Sequence, residues 1–330
     1  MPDTIVLLPD PLAGTQPDGM GLDDRMDEVT ARSLDRAADV VSRRVDSRTP
    51  AEALGLRLSH VTAPTGPAYQ RYTPSLSVVL AGRKRSVVGD DDQVWGRDRF
   101  IITPVDLPVV SAVVAAEGPR GFLAARYQLA PALVAEVAAA MPRADRPSGA
   151  TDRLGTWSPA LADAFARLTG LLDEPENIPI LGPLVAREIV LRLLQTDQAP
   201  RVLAAVGDHD PVVPRAVRLL TDRMAEPWSM SGLAAEVGTS QPTLFRRFRE
   251  ATSMTPVQYL KRLRLGEAQH RMVVFGESAA QAASAVGYRS APHFSRDYRH
   301  LYGRTPAADA SRLREQLRQR GGEDWLAVNG

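Results

Sequence analysis

The stretch Ser229 to Phe248, SMSGLAAEVGTSQPTLFRRF, decides the reading of this chain, because its pattern is written twice. Leu233-Ala-Ala-Glu-Val-Gly238 is matched by Ala282-Ala-Ser-Ala-Val-Gly287, and Ser240-Gln-Pro-Thr-Leu-Phe-Arg-Arg-Phe248 by Ser290-Ala-Pro-His-Phe-Ser-Arg-Asp-Tyr298. Leu233, Ala234 and Val237 lie on one face of a short helix. Gly238 and Gly287 stand where a helix ends and the backbone turns to positive φ. Ser240 and Ser290 are N-cap types for the following helix, and Pro242 and Pro292 fall in its first turn, where a missing N–H costs little. Leu244 with Phe248, and Phe294 with Tyr298, form i,i+4 pairs facing a core. The opposite arc then carries Pro242, Thr243, Arg246 and Arg249 in one copy, and Pro292, His293, Arg296 and Arg299 in the other. Arginine in the same register on two exposed faces suits a pair of recognition helices in the major groove of DNA.

The surroundings agree. Residues 211–320 hold 18 Arg plus Lys against 9 Asp plus Glu, a net of +9, while the remainder holds 22 against 30, a net of −8. That places the footprint for a polyanion on the C-terminal third. A charge excess also keeps surfaces soluble, so the duplicated motif decides between the two readings. Thr255-Pro256 is a cap and first-turn pair opening a long helix to about Val273. At 1.5 Å per residue it is roughly 27 Å long, against about 34 Å between successive major-groove faces, so one rigid helix can carry both recognition helices. Val213–Met224 precedes the first pair, and a closing helix runs from Pro306 to about Arg320.

Upstream the pattern changes. A length of 330 residues predicts two domains, and a hydrophobic content of 44% is ample for ordinary cores. Residues 1–24, rich in Pro, Gly and Asp, read as a disordered tail, and Asp27–Val45 as a helix. Leu54–Val61, Ser75–Ala81, Arg85–Val88, Phe100–Thr103, Val109–Ala115 and Phe122–Leu129 read as short strands separated by turn signals, which predicts an antiparallel barrel or jelly roll. Pro131–Met141, Pro159–Leu172 and Leu181–Thr196 read as helices, Pro142–Gly155 as a loop, and 205–212 as a linker.

Two helix-turn-helix units on one long helix resemble the AraC/XylS family of bacterial transcription regulators. The carrying residues include Leu233 to Gly238, Ser240, Leu244, Arg246, Phe248, Pro256, Tyr259-Leu260, Arg264-Leu265, Ala268, Ala282-Ala283, Val286-Gly287-Tyr288, Ser290, Phe294 to Arg296, Tyr298, Gly303 and Thr305-Pro306. Tyr298 stands where the family more often has Phe, and the Ala-rich segment 308–310 replaces its usual aromatic–Arg ending. Pro74-Ser-Leu76, Val79 to Gly82, Arg83-Lys84 and Thr103 to Pro108 resemble the cupin-like N-terminal domain found in a subset of that family. The resemblance implies an α+β chain of two domains: a cupin-like β-barrel with helices over 25–204 for sensing and dimerisation, and an all-α DNA-binding domain over 213–320, with helix-turn-helix units at 229–250 and 278–300.

Candidate residues follow. Arg246 and Arg296 suit bidentate contact with guanine O6 and N7. Arg247, Arg249 and Arg299 suit phosphates, which position without reading sequence. Ser240 and Ser290 cap their helices and lie close to where phosphates would pass. Gln241, Pro242 and Thr243, with Ala291, Pro292 and His293, complete the two exposed first turns, Thr243 and His293 facing base edges. Trp228 reads as core. Tyr69, Tyr72, Arg83, Lys84, Trp95 and Arg126 are candidates to line an effector pocket, and equally to be barrel surface and core.

Several classes are disfavoured. Without cysteine there is no disulfide framework or thiolate metal site, and His60 is the only histidine before residue 200, so no metal or other cofactor is expected. There is no G-x-S-x-G, P-loop or G-x-G-x-x-G, so an enzyme is not expected. No apolar run reaches the ~20 residues of a membrane span, and the start lacks a basic n-region, which leaves the cytoplasm. The partners expected are double-stranded DNA, a small-molecule effector and a second copy of the chain, dimerised through the N-terminal half and its apolar helix Leu181–Thr196, with the 205–211 segment coupling effector to DNA. Two alternatives stay open: a DNA-binding protein without effector, and a cupin enzyme fused to a DNA-binding module.

Overall fold

The computed structural model describes residues 26–46, 48–89, 91–116, 118–142, 152–204 and 212–319. The tail 1–24 and linker residues 205–211 lie outside them. Helix α1 (Glu28–Arg44) starts where Asp27 accepts the Thr30 N–H at 3.0 Å, and buries Leu34, Ala37, Ala38 and Val41 on one stripe. After α2 (Arg48–Ala53) come β1 (Leu56–Val61), β2 (Ala68–Tyr72), β3 (Ser75–Ala81), β4 (Arg83–Val88), β5 (Asp91–Trp95), β6 (Arg99–Thr103), β7 (Leu107–Ala115) and β8 (Phe122–Gln128). The expected antiparallel barrel is realised as two facing sheets, ordered β1-β8-β3-β6-β9 and β2-β7-β4-β5, with β9 at Leu154–Thr156.

Period-2 alternation sends the two faces of the first sheet to different cores. Leu56, Leu58, Leu76, Val78, Leu80, Leu123 and Ala125 pack on α1 and on helices α3 (Pro131–Ala140), α4 (Pro159–Gly170), α5 (Ile178–Leu194) and α6 (Ala199–Ala204). Val61, Val79, Ile101 and Phe122 turn inward and meet Trp95 and Val113 of the second sheet.

Three strands escape the sequence pattern. β2 and β5 carry too few apolar residues to register as strands. β5 begins inside the acidic turn signal, where Arg85 Nε donates to Asp92 at 2.7 Å across the β4–β5 hairpin. Of the expected loop Pro142–Gly155, residues 143–151 lie outside the described residues, and its end is strand: β9 pairs with β6, and Gly155 lies so close to the Phe100 ring that a Cβ would sit 2.2 Å from it.

The C-terminal half is all helix: α7 (Val212–Asp222), α8 (Met230–Glu236), α9 (Gln241–Thr252), α10 (Pro256–Val274), α11 (Ala279–Ala285), α12 (Ala291–Tyr302) and α13 (Pro306–Gln319). α8 with α9, and α11 with α12, are the two helix-turn-helix units. Gly238 and Gly287 hold φ of 74° and 87° in their turns, where a side chain is disfavoured. The duplication reaches further than the quoted motif. α9 and α12 both stop in left-handed caps, at Ser253 and Gly303, and Thr-Pro opens α10 at 255–256 as it opens α13 at 305–306. α10 begins with a capping box in which Thr255 and Gln258 satisfy each other's backbone N–H groups.

The two halves share cores. Val88, Val105, Leu107 and Val109 cluster with Leu220, Leu233, Phe248, Tyr259 and Leu263. Val110 clusters with Leu265, Ala268, Met272, Phe294 and Tyr298, and Tyr69 and Val87 pack against that group. Each fully buried large apolar side chain contributes ~1.5–3 kcal/mol. Helix α10 therefore serves both as the spine of the two helix-turn-helix units and as the floor beneath the second sheet.

Candidate nucleic-acid interface

Each unit buries one side of its second helix and exposes the other. In α9 Leu244 and Phe248 are buried, Ser240, Gln241, Pro242, Arg246 and Arg249 are exposed, and Thr243 and Arg247 are half-buried. In α12 Phe294 and Tyr298 are buried, while Ser290, Ala291, Pro292, His293, Arg296 and Arg299 are exposed. The structure thus places the candidate DNA-contacting residues on two accessible arcs at matching positions. Ser240 and Ser290 are N-caps, accepting the N–H groups of Thr243 and His293 at 3.4 and 3.3 Å. Arg246 is held along its helix by Glu250 at 3.0 Å, an exposed i,i+4 pair worth a few tenths of a kcal/mol that a phosphate or base edge can displace.

His293 differs from its counterpart Thr243. Its Nε2 lies 3.2 Å from Asp297, a buried carboxylate that also accepts from Lys261 Nζ of α10 at 2.8 Å and from the Tyr288 hydroxyl at 3.2 Å. Burial, then the neighbouring Asp297 carboxylate, push the Tyr288 phenol well up, so it stays a neutral donor. The second recognition helix is thereby pinned to the spine, and His293 is oriented from within.

A second buried polar group lies deeper. Asp309 of α13, 1% exposed, accepts from Gln269 Nε2 of α10 at 2.7 Å and from the Tyr298 hydroxyl of α12 at 2.9 Å, and pairs with Arg312 at 2.7 Å. Sequence reading missed Gln269, Asp309, Lys261 and Asp297. The signal available was Gln269 itself, a polar residue in line with Leu265, Ala268 and Met272 on the apolar face of α10.

Part of the positive charge counted in the sequence is structural. Arg264 donates to the carbonyls of Met224 and Glu226 at 2.7 Å each, Arg262 to the carbonyls of Val87 and Gly89, and Arg271 pairs with Glu277 at 2.7 Å. These bind the molecule together. Trp228 is half-buried and packs against the core of the first unit, with Arg223 over its ring at 4.7 Å and its indole N–H on the Arg223 carbonyl.

Of the candidate effector residues, Tyr72, Lys84, Trp95 and Arg126 line one cavity between the two sheets. Tyr69 lies on the other side of β2, against α10, and Arg83 is not part of the cavity wall. Among the described residues no group of His, Cys, Asp or Glu is placed to hold a metal ion, and no helix is long and apolar enough to cross a membrane.

Two helix-turn-helix units on a shared spine, beneath a two-sheet N-terminal half, define a double helix-turn-helix protein. Residues 53–201 match the family model for the AraC-type transcriptional regulator N-terminus, and residues 233–312 match a helix-turn-helix domain model. Among curated relatives, the HTH-type transcriptional regulator ArgR of Pseudomonas aeruginosa is 28% identical over 149 residues, 44% of this chain and 45% of the relative. The HTH-type transcriptional activator RhaS of Escherichia fergusonii is 30% identical over 127 residues, 38% of this chain and 46% of the relative. The chain spans about half the length of these relatives. Among solved structures, ToxT of Vibrio cholerae aligns over 78% of this chain and 96% of its own, with 10% identity and a TM-score of 0.49. The chain belongs to the AraC/XylS family of transcription regulators.

Proposed function

We propose that this protein is a sequence-specific DNA-binding transcription regulator that responds to a small molecule through its N-terminal half. The observation that carries the reading is the pair of exposed arcs, with Arg246 and Arg296 at the same helical position on α9 and α12 and both helices packed on α10. In this reading Arg246 and Arg296 read guanines, Arg247, Arg249 and Arg299 hold phosphates, and Thr243 and His293 meet base edges. The division of labour is 25–204 for sensing and dimerisation and 213–320 for DNA. The protein works in the cytoplasm and catalyses no reaction, in keeping with relatives that are regulators.

Two further features support response and assembly. β2 turns Gln70 and Tyr72 to the cavity and Tyr69 to α10, so a ligand that shifts β2 acts on the DNA-binding spine without passing through the 205–211 segment. A ligand shifts such an equilibrium only by its differential affinity for the two arrangements. On α5, Ile180, Leu181 and Leu184 are 73%, 40% and 60% exposed, an apolar face suited to a second copy in a homodimer that reads two half-sites.

Footprinting of the full chain on genomic fragments tests the reading. Protection of discrete sites covering two successive major-groove segments is expected, and uniform coverage without preference would refute it. A DNA-binding protein without effector is the second reading, and metabolite-independent affinity for the recovered site favours it.

A further inference from the structure

The two recognition helices differ at their first exposed turn. Position 243 of α9 is a threonine, whose hydroxyl accepts from that of the Ser240 N-cap at 2.9 Å. The matching position of α12 is His293. One turn further on, where α9 has the half-buried Arg247, α12 has Asp297, which is 8% exposed. Its carboxylate accepts from Lys261 Nζ of α10 at 2.8 Å and from the Tyr288 hydroxyl at 3.2 Å, and lies 3.2 Å from Nε2 of His293. The Tyr288 ring stands edge-on to the imidazole, with centroids 5.8 Å apart. The His293 side chain is itself 55% exposed. An imidazole fixed from behind by a buried carboxylate therefore lies on the outer arc of the second unit only.

The chemistry of that arrangement is specific. An ionised carboxylate only accepts hydrogen bonds, so Nε2, the ring nitrogen facing Asp297, carries a proton in both charge states of the imidazole. Lys261 already supplies the charge opposite to Asp297, so the contact holds whether or not the ring is charged. What changes is Nδ1, which has no partner among the described residues. In the neutral ring it accepts a hydrogen bond, and in the imidazolium it donates one. In the major groove cytosine N4 and adenine N6 are donors, whereas guanine N7 and O6 and thymine O4 are acceptors. Histidine is the side chain that changes charge between about pH 5 and 8. The other charged groups around it are few. α12 adds Arg296 and, further along, the exposed His300, Arg289 precedes the N-cap, and Arg264 of α10 lies beside Tyr288. α11 has no titratable residue, and Asp309 of α13 is engaged with Gln269, Tyr298 and Arg312.

We propose that His293 is a charge-dependent base reader, taking the amino group of cytosine or adenine when neutral and donating to guanine or thymine when protonated, with Asp297 positioning the ring in both states. Sites with guanine at that position gain affinity as the pH falls, because only the protonated ring donates to them. Sites with cytosine there lose affinity, because the protonated ring has no acceptor left. The groove segment met by Thr243 keeps one preference throughout, since a hydroxyl does not titrate in this range. The inference rests on the DNA-binding reading and deepens it, naming the residue that makes one base preference conditional.

Selection of randomised DNA by the full chain at about pH 6 and about pH 8, at fixed ionic strength, tests it. At one position of the second groove segment the affinity ratio of guanine to cytosine is expected to change about tenfold between the two conditions, while the first segment stays as it is. His293→Thr, an exposed substitution that gives the second unit the residue of the first, should erase that change. Asp297→Asn leaves the imidazole in place but loosens its hold, and should shrink the change. If Asp297→Asn does not fold, His293→Thr carries the test alone. Identical preferences at both pH values overturn the proposal. So does a pH-dependent preference that survives in His293→Thr, which would belong to His300 or another group. A gain in affinity at low pH that is equal on all sites also overturns it, since added charge would then meet phosphates alone. Discrete sites with fixed preferences leave the DNA-binding reading standing, whereas the absence of discrete sites at either pH removes both.

Discussion

The backbone N–H of Tyr69 donates to Oε1 of Gln269 at 3.0 Å, joining residues 200 positions apart. Gln269 passes its own N–H to Asp309, which also receives the hydroxyl of Tyr298 on the second recognition helix. A continuous hydrogen-bonded path therefore runs from strand β2 of the N-terminal half, through α10 and α13, to α12. Arg312 doubles it, pairing with Asp309 and donating to the Pro67 carbonyl at 3.4 Å.

Gly266→Ala tests the contact between the halves. The Tyr69 ring lies so close to Gly266 that an added Cβ would meet its atoms at 2.1 Å. Alanine in a helix interior stabilises by ~1 kcal/mol relative to glycine, but overpacking costs ~1–3 kcal/mol. The expected outcome is a net loss in the full chain that Tyr69→Ala relieves. A double-mutant cycle by denaturant unfolding measures it, and additive effects would show that the ring and the glycine are not coupled.

Asp309→Ala should be strongly destabilising, on the order of 3 kcal/mol, because it strips Arg312, Gln269 and the Tyr298 hydroxyl of a buried acceptor at once. Burial, with Tyr302 and Asp309 as neighbours, pushes the Tyr298 phenol well up, so it remains a donor in need of that acceptor. Urea unfolding checks the loss, and a change within ±0.5 kcal/mol would mean that the network is not a stabilising element.

Arg246→Ala and Arg296→Ala are each expected to cost about 1–3 kcal/mol on the specific site, relaxing base preference at different groove segments. Binding to randomised sites is the measurement. Equal losses on specific and random DNA would make both residues phosphate clamps.

Salt dependence separates the arginines on the arcs from those inside. With the phosphates held by Arg247, Arg249 and Arg299, log K should fall against log salt with a slope of roughly −3, and Arg299→Ala should lower its magnitude by about 1. Arg264→Ala, which removes a bond to backbone carbonyls, should weaken folding and leave the slope unchanged. A changed slope for Arg264→Ala would place that residue on the DNA.

Ile180→Glu with Leu184→Glu should leave folding intact, since both side chains are exposed, and convert a dimer into monomers in sedimentation at micromolar concentration. Unchanged sedimentation would exclude this face as the contact between copies.

The sequence by itself determined the two helix-turn-helix units, their caps and turns, and which side of α9 and α12 is exposed. Those features are local: a serine cap, a glycine at positive φ and an i,i+4 apolar pair act within a few residues, and their repetition supplied an internal check. Tertiary structure alone decided what β2 does. Ala-Tyr-Gln-Arg-Tyr has a tyrosine on each face, so alternation does not reveal which one meets the cavity; pairing with β7 puts Tyr72 inward and seats Tyr69 on Gly266 of α10. The same holds for Gln269 and Asp309, polar residues whose burial makes sense only when three helices bring their partners together. It holds too for the like-charged pair Arg57 and Arg126, nearly 70 positions apart and adjacent only in the register of β1 against β8. Local rules fix elements and exposed faces, whereas the pairing of distant groups depends on strand register and packing, which no short window of sequence contains.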